Sequence, residues 1–480
     1  MAQMITNPAT LAPLGEVPES GVDDIERVVG AARAAAASWH AMPPALRAGL
    51  LREIAGRIRG KTRELADLST RESGLARCES LDCVGAAAAS FEFFAARSEG
   101  GRSEAAAGNS SSDAAVDSSG VAAVLAPFDL PLPVMAAAVG SALAAGLSVV
   151  CKPPAQNPLT SLELARAFDV LPAGAVSLVT GGASVGRALA AHPEVGRIMF
   201  TGSSAAGLEI SAAAAGKHLD LEVGTIDAHI VCRGADLDLA VPAVAWTRLM
   251  SGGQACMSGG HLYVERSLAA EFVDRMHHCV GFLDVDDPAK PSTDLGPLIS
   301  LDAARKLEDQ VGRMLRQGAK LILGGRRFRP SGLPGHFFQP TILTDVKPGS
   351  VPMREQLLGP VITVTPVADL AEALRWWTEF RSSPAISPAG ASIYTDDPET
   401  AGSLLQEMGG GFFRINDPSV AGLGPFSGLR HRGIREALGA EPHVSRNDRT
   451  NRAQFVGAQF ARAIERKPWW FPYADRARSP

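Results

Sequence analysis

Paired cysteines, long basic runs, internal repeats and a glycine fingerprint of the GxGxxG type are all missing from this 480-residue chain. Its six cysteines, Cys78, Cys83, Cys151, Cys232, Cys256 and Cys279, are scattered without one CxxC. Neither a zinc site nor a disulfide framework is therefore expected, and a reducing cytoplasm fits best. A net charge of -5 with no basic cluster sets nucleic acid aside as a partner. The first seven residues have no basic stretch leading into an apolar core, which argues against a secretory signal. One stretch, 130–151, runs 22 residues without a formal charge. It is rich in Ala and Gly, opens with Pro131 and Pro133 and breaks at Gly146, so a buried helix followed by a buried strand is expected, not a membrane span.

Hydrophobic content of 46% and charged content of 20% describe a soluble globular protein of two or three domains. Residues 23–39 read as an alanine-rich helix stopped by Pro43 and Pro44. Apolar Leu46, Leu50, Leu51, Ile54 and Ile58 then give 45–69 the spacing of one amphipathic helix. Strand and helix patterns alternate next: strands at 121–125, 148–151, 175–179, 197–200 and 220–223, with helices at 132–145, 159–168, 185–191 and 205–215 between them. Such repeated units predict a parallel, doubly wound Rossmann-type sheet covered on both faces, whose default ligand is a nucleotide. After Cys256, strands at 262–264, 320–323, 361–364 and 391–394 and helices at 268–276, 303–317 and 370–377 predict a second α/β unit. Residues 99–119 read as a loop or exposed ribbon. The aromatics Trp469, Trp470 and Phe471 read as a strip docking on protein surface.

The run Ser251-Gly252-Gly253-Gln254-Ala255-Cys256-Met257-Ser258-Gly259-Gly260 frames a thiol with four glycines and lets backbone close around a small molecule. A lone cysteine is more often a small buried hydrophobe. Glu222, flanked by apolar or compact Leu221, Val223 and Gly224, shifts that balance. A thiolate adds to carbonyl carbon, and a carboxylate whose pKa is raised by burial can activate water. Lys152 follows a predicted buried strand, where ligands collect in open α/β sheets. Phe200-Thr201-Gly202-Ser203 leads from a strand into a helix, and Gly181-Gly182-Ala183-Ser184-Val185-Gly186 is by itself a weak signal.

Taken together, Gly253-Gln254-Ala255-Cys256 (GQxC), Leu221-Glu222-Val223-Gly224-Thr225 (LELGG) and the ADLD.A-like run from Gly234 to Ala240 resemble the NAD(P)-dependent aldehyde dehydrogenase family. The resemblance runs from about Asp23 to about Gly439. It implies a cofactor-binding domain over 1–99 and 120–224, a catalytic domain over 225–432, and an oligomerisation arm and tail over 100–119 and 433–480. It further implies an aldehyde substrate, NAD or NADP as cofactor, and a homodimer or homotetramer with neither nucleic acid nor membrane as partner. Cys256 would be the nucleophile, forming a thiohemiacetal and then a thioester that Glu222 helps water to release. Implied cofactor contacts are Phe128, Lys152, Gly182, Gly186, Gly202, Ser203, Gly207, Gly224, Gln356 and Leu358.

The chain departs from the family pattern at several of these places. Ala155 replaces the glutamate with which NAD-preferring members bind ribose hydroxyls, so tolerance of NADP is expected. Asp129 stands where the family's asparagine donates to the oxyanion, and an ionised carboxylate has no proton to give. Gln356 and Leu358 replace a glutamate and a phenylalanine, and Ser251 an asparagine. These changes leave open a degenerate member that binds nucleotide or serves as a partner subunit. An enzyme passing its acyl group to coenzyme A is the other alternative, against which the retained Glu222 speaks.

Overall fold

The computed structural model describes residues 2–99, 120–223, 227–256, 258, 260–350, 354–381, 390–397, 400 and 412–416. The expected ribbon and tail, the terminal aromatics and Gly224 lie outside the described residues. The chain divides into two compact units, one built on Met1–Val223 with Pro288–Pro291, the other on Gly224–Asp287 and Ser292–Ala421.

The first unit opens with an antiparallel hairpin of β1 (Ala2–Thr6) and β2 (Pro13–Pro18). Helices α1 (Val22–Ala41), α2 (Pro44–Gly60), α3 (Thr62–Ser73) and α4 (Arg77–Glu99) follow. The single helix expected over 45–69 is thus two helices. Lys61, at φ -109 and ψ 17, ends α2 and starts α3, so the apolar spacing continues across a break in the axis.

Strand and helix then alternate as β3 (Val121–Leu125), α5 (Pro131–Ala144), β4 (Ser148–Lys152), α6 (Leu159–Ala165), β5 (Val176–Leu178), α7 (Ala183–Ala191), β6 (Val195–Gly202), α8 (Ser204–Ala213) and β7 (His218–Val223). The sheet order is β5-β4-β3-β6-β7 with every pair parallel. All residues of β3 and β4 are buried, as a sheet covered on both faces requires. Trp39, Phe91 and Leu132 pack one face of this sheet, while Val29, Leu189 and Ile198 belong to the core on the other. The uncharged stretch resolves into buried α5 and β4, and among the described residues no helix is long and apolar enough to cross a membrane. Because β4 and β5 extend the sheet on one side of β3 and β6 and β7 on the other, strand order reverses between β3 and β6. Their carboxyl ends flank the crevice where doubly wound sheets take their ligands.

In the second unit the elements are β8 (Ala228–Val231), α9 (Leu237–Leu249), β9 (His261–Glu265), α10 (Arg266–Gly281), α11 (Leu301–Arg316), β10 (Lys320–Leu323), β11 (Thr341–Thr344), β12 (Val361–Val367), α12 (Leu370–Arg381), β13 (Gly390–Tyr394) and β14 (Phe412–Ile415). Its sheet runs β10-β11-β12-β9-β8-β13-β14, parallel except for β10 against β11. Strands β8 and β9 are buried throughout. The α11 helix buries Ala304, Leu307, Val311 and Met314 at three-to-four spacing, and Ser300 caps it by accepting from the Ala303 amide at 3.1 Å.

Candidate active site

In the second unit, α9 ends at Leu249 and the chain turns through Ser251 (φ 54), Gly252 (φ 62) and Gly253 (φ 72). Three successive residues in the left-handed region suit two glycines and cost the serine. At Gly253 no other residue would fit, because an added Cβ would stand 2.1 Å from the Gly359 carbonyl oxygen. That close approach lets the Gly359 amide donate to the Gly253 carbonyl at 2.8 Å.

Gln254 braces the turn from both ends of its amide. Its Nε2 donates to the Ser251 carbonyl at 3.0 Å, and its Oε1 accepts from the Ile299 amide at 2.9 Å. Ser258 Oγ donates to the Ala255 carbonyl at 2.6 Å. From α9 the buried Arg248 reaches the Ser258 carbonyl (2.7 Å) and the Val361 carbonyl (2.6 Å), linking the loop to β12. Desolvation lowers its pKa to about 10, so it remains a cation. Cys256, partly exposed, is held in this frame, and its carbonyl accepts from Gln356 Nε2 at 3.2 Å. Gln356 is fixed in turn, because Gln310 Nε2 donates to its carbonyl at 3.3 Å. Neighbouring Glu355 pairs with Arg313 on α11 at 2.6 Å and 2.7 Å, which holds its carboxyl down to about 2. Leu358, partly buried, follows in the same segment.

In the first unit, Glu222 lies one residue from the end of β7, level with Thr201 on β6. Thr201 Oγ1 donates to Glu222 Oε2 at 3.5 Å. Burial outweighs that bond and pushes the Glu222 carboxyl up to about 7. Beyond Thr201, a Cβ on Gly202 would stand 2.6 Å from the Phe200 ring, so the backbone passes there without a side chain. Ser203 caps α8, its Oγ accepting from the Ala206 amide at 3.2 Å, and Gly207 is buried in the first turn.

Lys152, the last residue of β4, is 9% exposed. Its Nζ donates to the carbonyls of Pro153 (2.8 Å) and Gly181 (3.2 Å), and desolvation pulls its pKa down to about 8. Gly186 lies against its stem, where an added Cβ would meet Lys152 Cε at 3.5 Å, an ordinary contact. Gly182 caps α7. Phe128 and Asp129 occupy the loop after β3, on the crevice side of the sheet. The Phe128 carbonyl accepts from Asn157 Nδ2 at 2.8 Å, and Asp129 is 5% exposed.

The structure therefore gathers Lys152, Gly182 and Gly186 in one place, Thr201 and Glu222 in another, and Cys256 with Gln356 in a third. Arg248 was not singled out from the sequence, although a lone charge in the apolar run Ala245-Trp246-Thr247-Arg248-Leu249-Met250 marks it. Thr201 stood inside a quoted motif without a role, and nothing local marks Glu19, which lies beside Gly182.

Over residues 2–444 the sequence matches the profile of the Aldehyde dehydrogenase family. It is 31% identical to aminoaldehyde dehydrogenase 1, peroxisomal, of Pisum sativum, over 90% of this chain and 88% of that one. Lactaldehyde dehydrogenase from Escherichia coli superposes with a TM-score of 0.79 at 28% identity, covering 87% of this chain and 88% of the other. The NADP complex of glyceraldehyde-3-phosphate dehydrogenase from Methanocaldococcus jannaschii gives 0.78 at 26% identity over 91% and 97%.

Proposed function

Since this chain belongs to the aldehyde dehydrogenase family and is an NAD(P)-dependent enzyme oxidising an aldehyde to a carboxylic acid, we propose that Cys256 is its nucleophile and Glu222 its hydrolytic base. The observation that carries this is the Glu222 carboxyl, held near neutrality at the carboxyl end of a parallel sheet. A base poised there takes a proton from water at physiological pH.

The first unit fits a dinucleotide on its own geometry. Lys152 is a buried cation at a strand end, and α7 and α8 both begin at carboxyl ends of the sheet. We accordingly assign 1–99 and 120–224 to cofactor binding and 225–432 to catalysis. Lys152, Gly182 and Gly186 would serve the adenosine end, and Gly202, Ser203 and Gly207 the pyrophosphate. When bound, NAD(P)+ supplies a hydride acceptor.

Cys256 Sγ adds to the aldehyde carbon and the carbonyl oxygen becomes an alkoxide. Its collapse would give up hydride to that acceptor and leave a thioester on the sulfur. Glu222 then takes a proton from water as the oxygen attacks the thioester carbon, the C–S bond breaks, and acid and thiolate separate. The braces from Gln254, Arg248 and Gln356 keep the sulfur in place through both halves. A hydrolytic base favours release to water over transfer to coenzyme A. A cytoplasmic homodimer or homotetramer is inferred from the scattered cysteines and the family resemblance.

The test is a panel of aldehydes with NAD+ and NADP+, followed by reduced-cofactor absorbance. Cys256→Ser is expected to abolish turnover, and Glu222→Gln to accumulate an acyl mass on the Cys256 peptide. Turnover by Cys256→Ser, or no acyl mass on any peptide, would refute the assignment.

A further inference from the structure

We propose that Glu19, carried in from the N-terminal hairpin, selects between the two dinucleotides by accepting a ribose diol and excluding a 2′-phosphate. This rests on the first unit being the dinucleotide domain.

A cavity of about 220 Å³ opens at the carboxyl ends of β4 and β5, with Gln3, Glu19, Ala155, Pro158, Thr180 and Gly182 among its walls. Of all the residues lining it, Glu19 alone carries a charge, and no lysine or arginine stands among them. Position 155 has no carboxylate, yet the same cavity receives one from a distant part of the chain.

The strand exit that bears Glu19 is stitched down. Ser20 N donates to the Thr180 carbonyl at 2.8 Å, and Thr180 N donates back to Ser20 Oγ at 3.0 Å. Glu19 Oε1 accepts from the Gly182 amide at 3.4 Å and from Ser184 Oγ at 3.2 Å. The chain's own carboxylate thus takes the seat at the start of α7 that an anion would otherwise occupy. Room for it is kept by Gly181 (φ 140), whose added Cβ would stand 2.8 Å from Glu19 Cγ.

A ribose at this strand end offers two hydroxyl donors, which a carboxylate accepts. A 2′-phosphate offers charge of the same sign as Glu19 and needs a cation. Lys152, the nearby ammonium, is already turned to the Pro153 and Gly181 carbonyls. Lys152 does not line the cavity that holds Glu19, so repulsion there discriminates by rejecting the wrong ligand.

The experiment is calorimetric titration of the full-length protein, without aldehyde, with NAD+ and with NADP+. Wild type is expected to bind NAD+ at least roughly tenfold more tightly. In Glu19→Gln and Glu19→Ala that ratio is expected to fall roughly tenfold, mainly through tighter NADP+ binding, with at most a small drop in the unfolding midpoint from the lost contacts at the start of α7. Equal wild-type affinities, or a ratio unmoved in both variants, would overturn the role of Glu19 and leave the domain assignment standing. Binding of neither dinucleotide would overturn both.

Discussion

The side-chain amide of Gln356 donates to the main-chain carbonyl of Cys256 across 3.2 Å. A glutamate, the family's residue at this position, has no hydrogen to give when ionised and would face the carbonyl lone pairs.

Gln356→Glu is therefore expected to loosen the loop under the thiol and lower kcat about tenfold. The rate of carbamidomethylation of Cys256 by iodoacetamide, followed by mass spectrometry, should change several-fold in the same variant. Gln356→Met serves as the uncharged control. Unchanged alkylation with tighter cofactor binding would make residue 356 a cofactor ligand and not a brace.

Because burial raises the Glu222 carboxyl to about 7 from 4.5, two pH dependences follow with opposite signs. In its proposed role as base Glu222 works ionised, so kcat is expected to rise with pH around a midpoint near 7, a limb that Glu222→Gln should erase. Between 4.5 and about 7 the folded protein keeps a proton that the unfolded chain has released. Stability therefore falls as pH rises through that window and levels off above it. Allowing for the partial exposure of the side chain, Glu222→Gln should gain about 2 kcal/mol at pH 8 and nothing at pH 4. Urea unfolding at the two pH values checks this.

Asp129 is buried in the loop at the reversal of strand order. In the role that the family resemblance implies for this position, an amide would offer a developing oxyanion a donor and remove a repelling charge. Asp129→Asn is expected to raise kcat by about tenfold or more, and Asp129→Ala to raise it less. Steady-state rates at pH 7 decide the matter, and an Asn variant no faster than wild type would contradict the expectation.

The central strands β3 and β4 of the first unit were readable because they are buried throughout and so appear as nearly continuous apolar runs. The 121–125 strand coincides with β3, and 148–151 falls one residue short of β4. Periodicity failed where packing is irregular. It did not show that Lys61 breaks the helical run, nor did it register β1 and β2, whose residues are mostly exposed and include Pro13 and Pro18. Helix α9 also went unseen, with Pro242 inside it.

Motifs singled out Cys256, Glu222 and Lys152 as candidates, but not what holds them. Gln356 and Cys256 lie a hundred residues apart, and their hydrogen bond exists only once two loops are folded together. Glu19 meets Gly182 by the same route, through a hairpin whose own residues carry no motif.

Behind Gly253 the backbone of Gly359 leaves no free space, and a Cβ on Gly359 would in turn stand 2.2 Å from Leu307 Cδ2 on α11. The Gly253 peptide of the turn that carries Cys256 is thus backed by the bare peptide of Gly359, and that in turn by one leucine. Steric room is narrowest not at the sulfur but in the layers beneath it, where a single methyl group has nowhere to go.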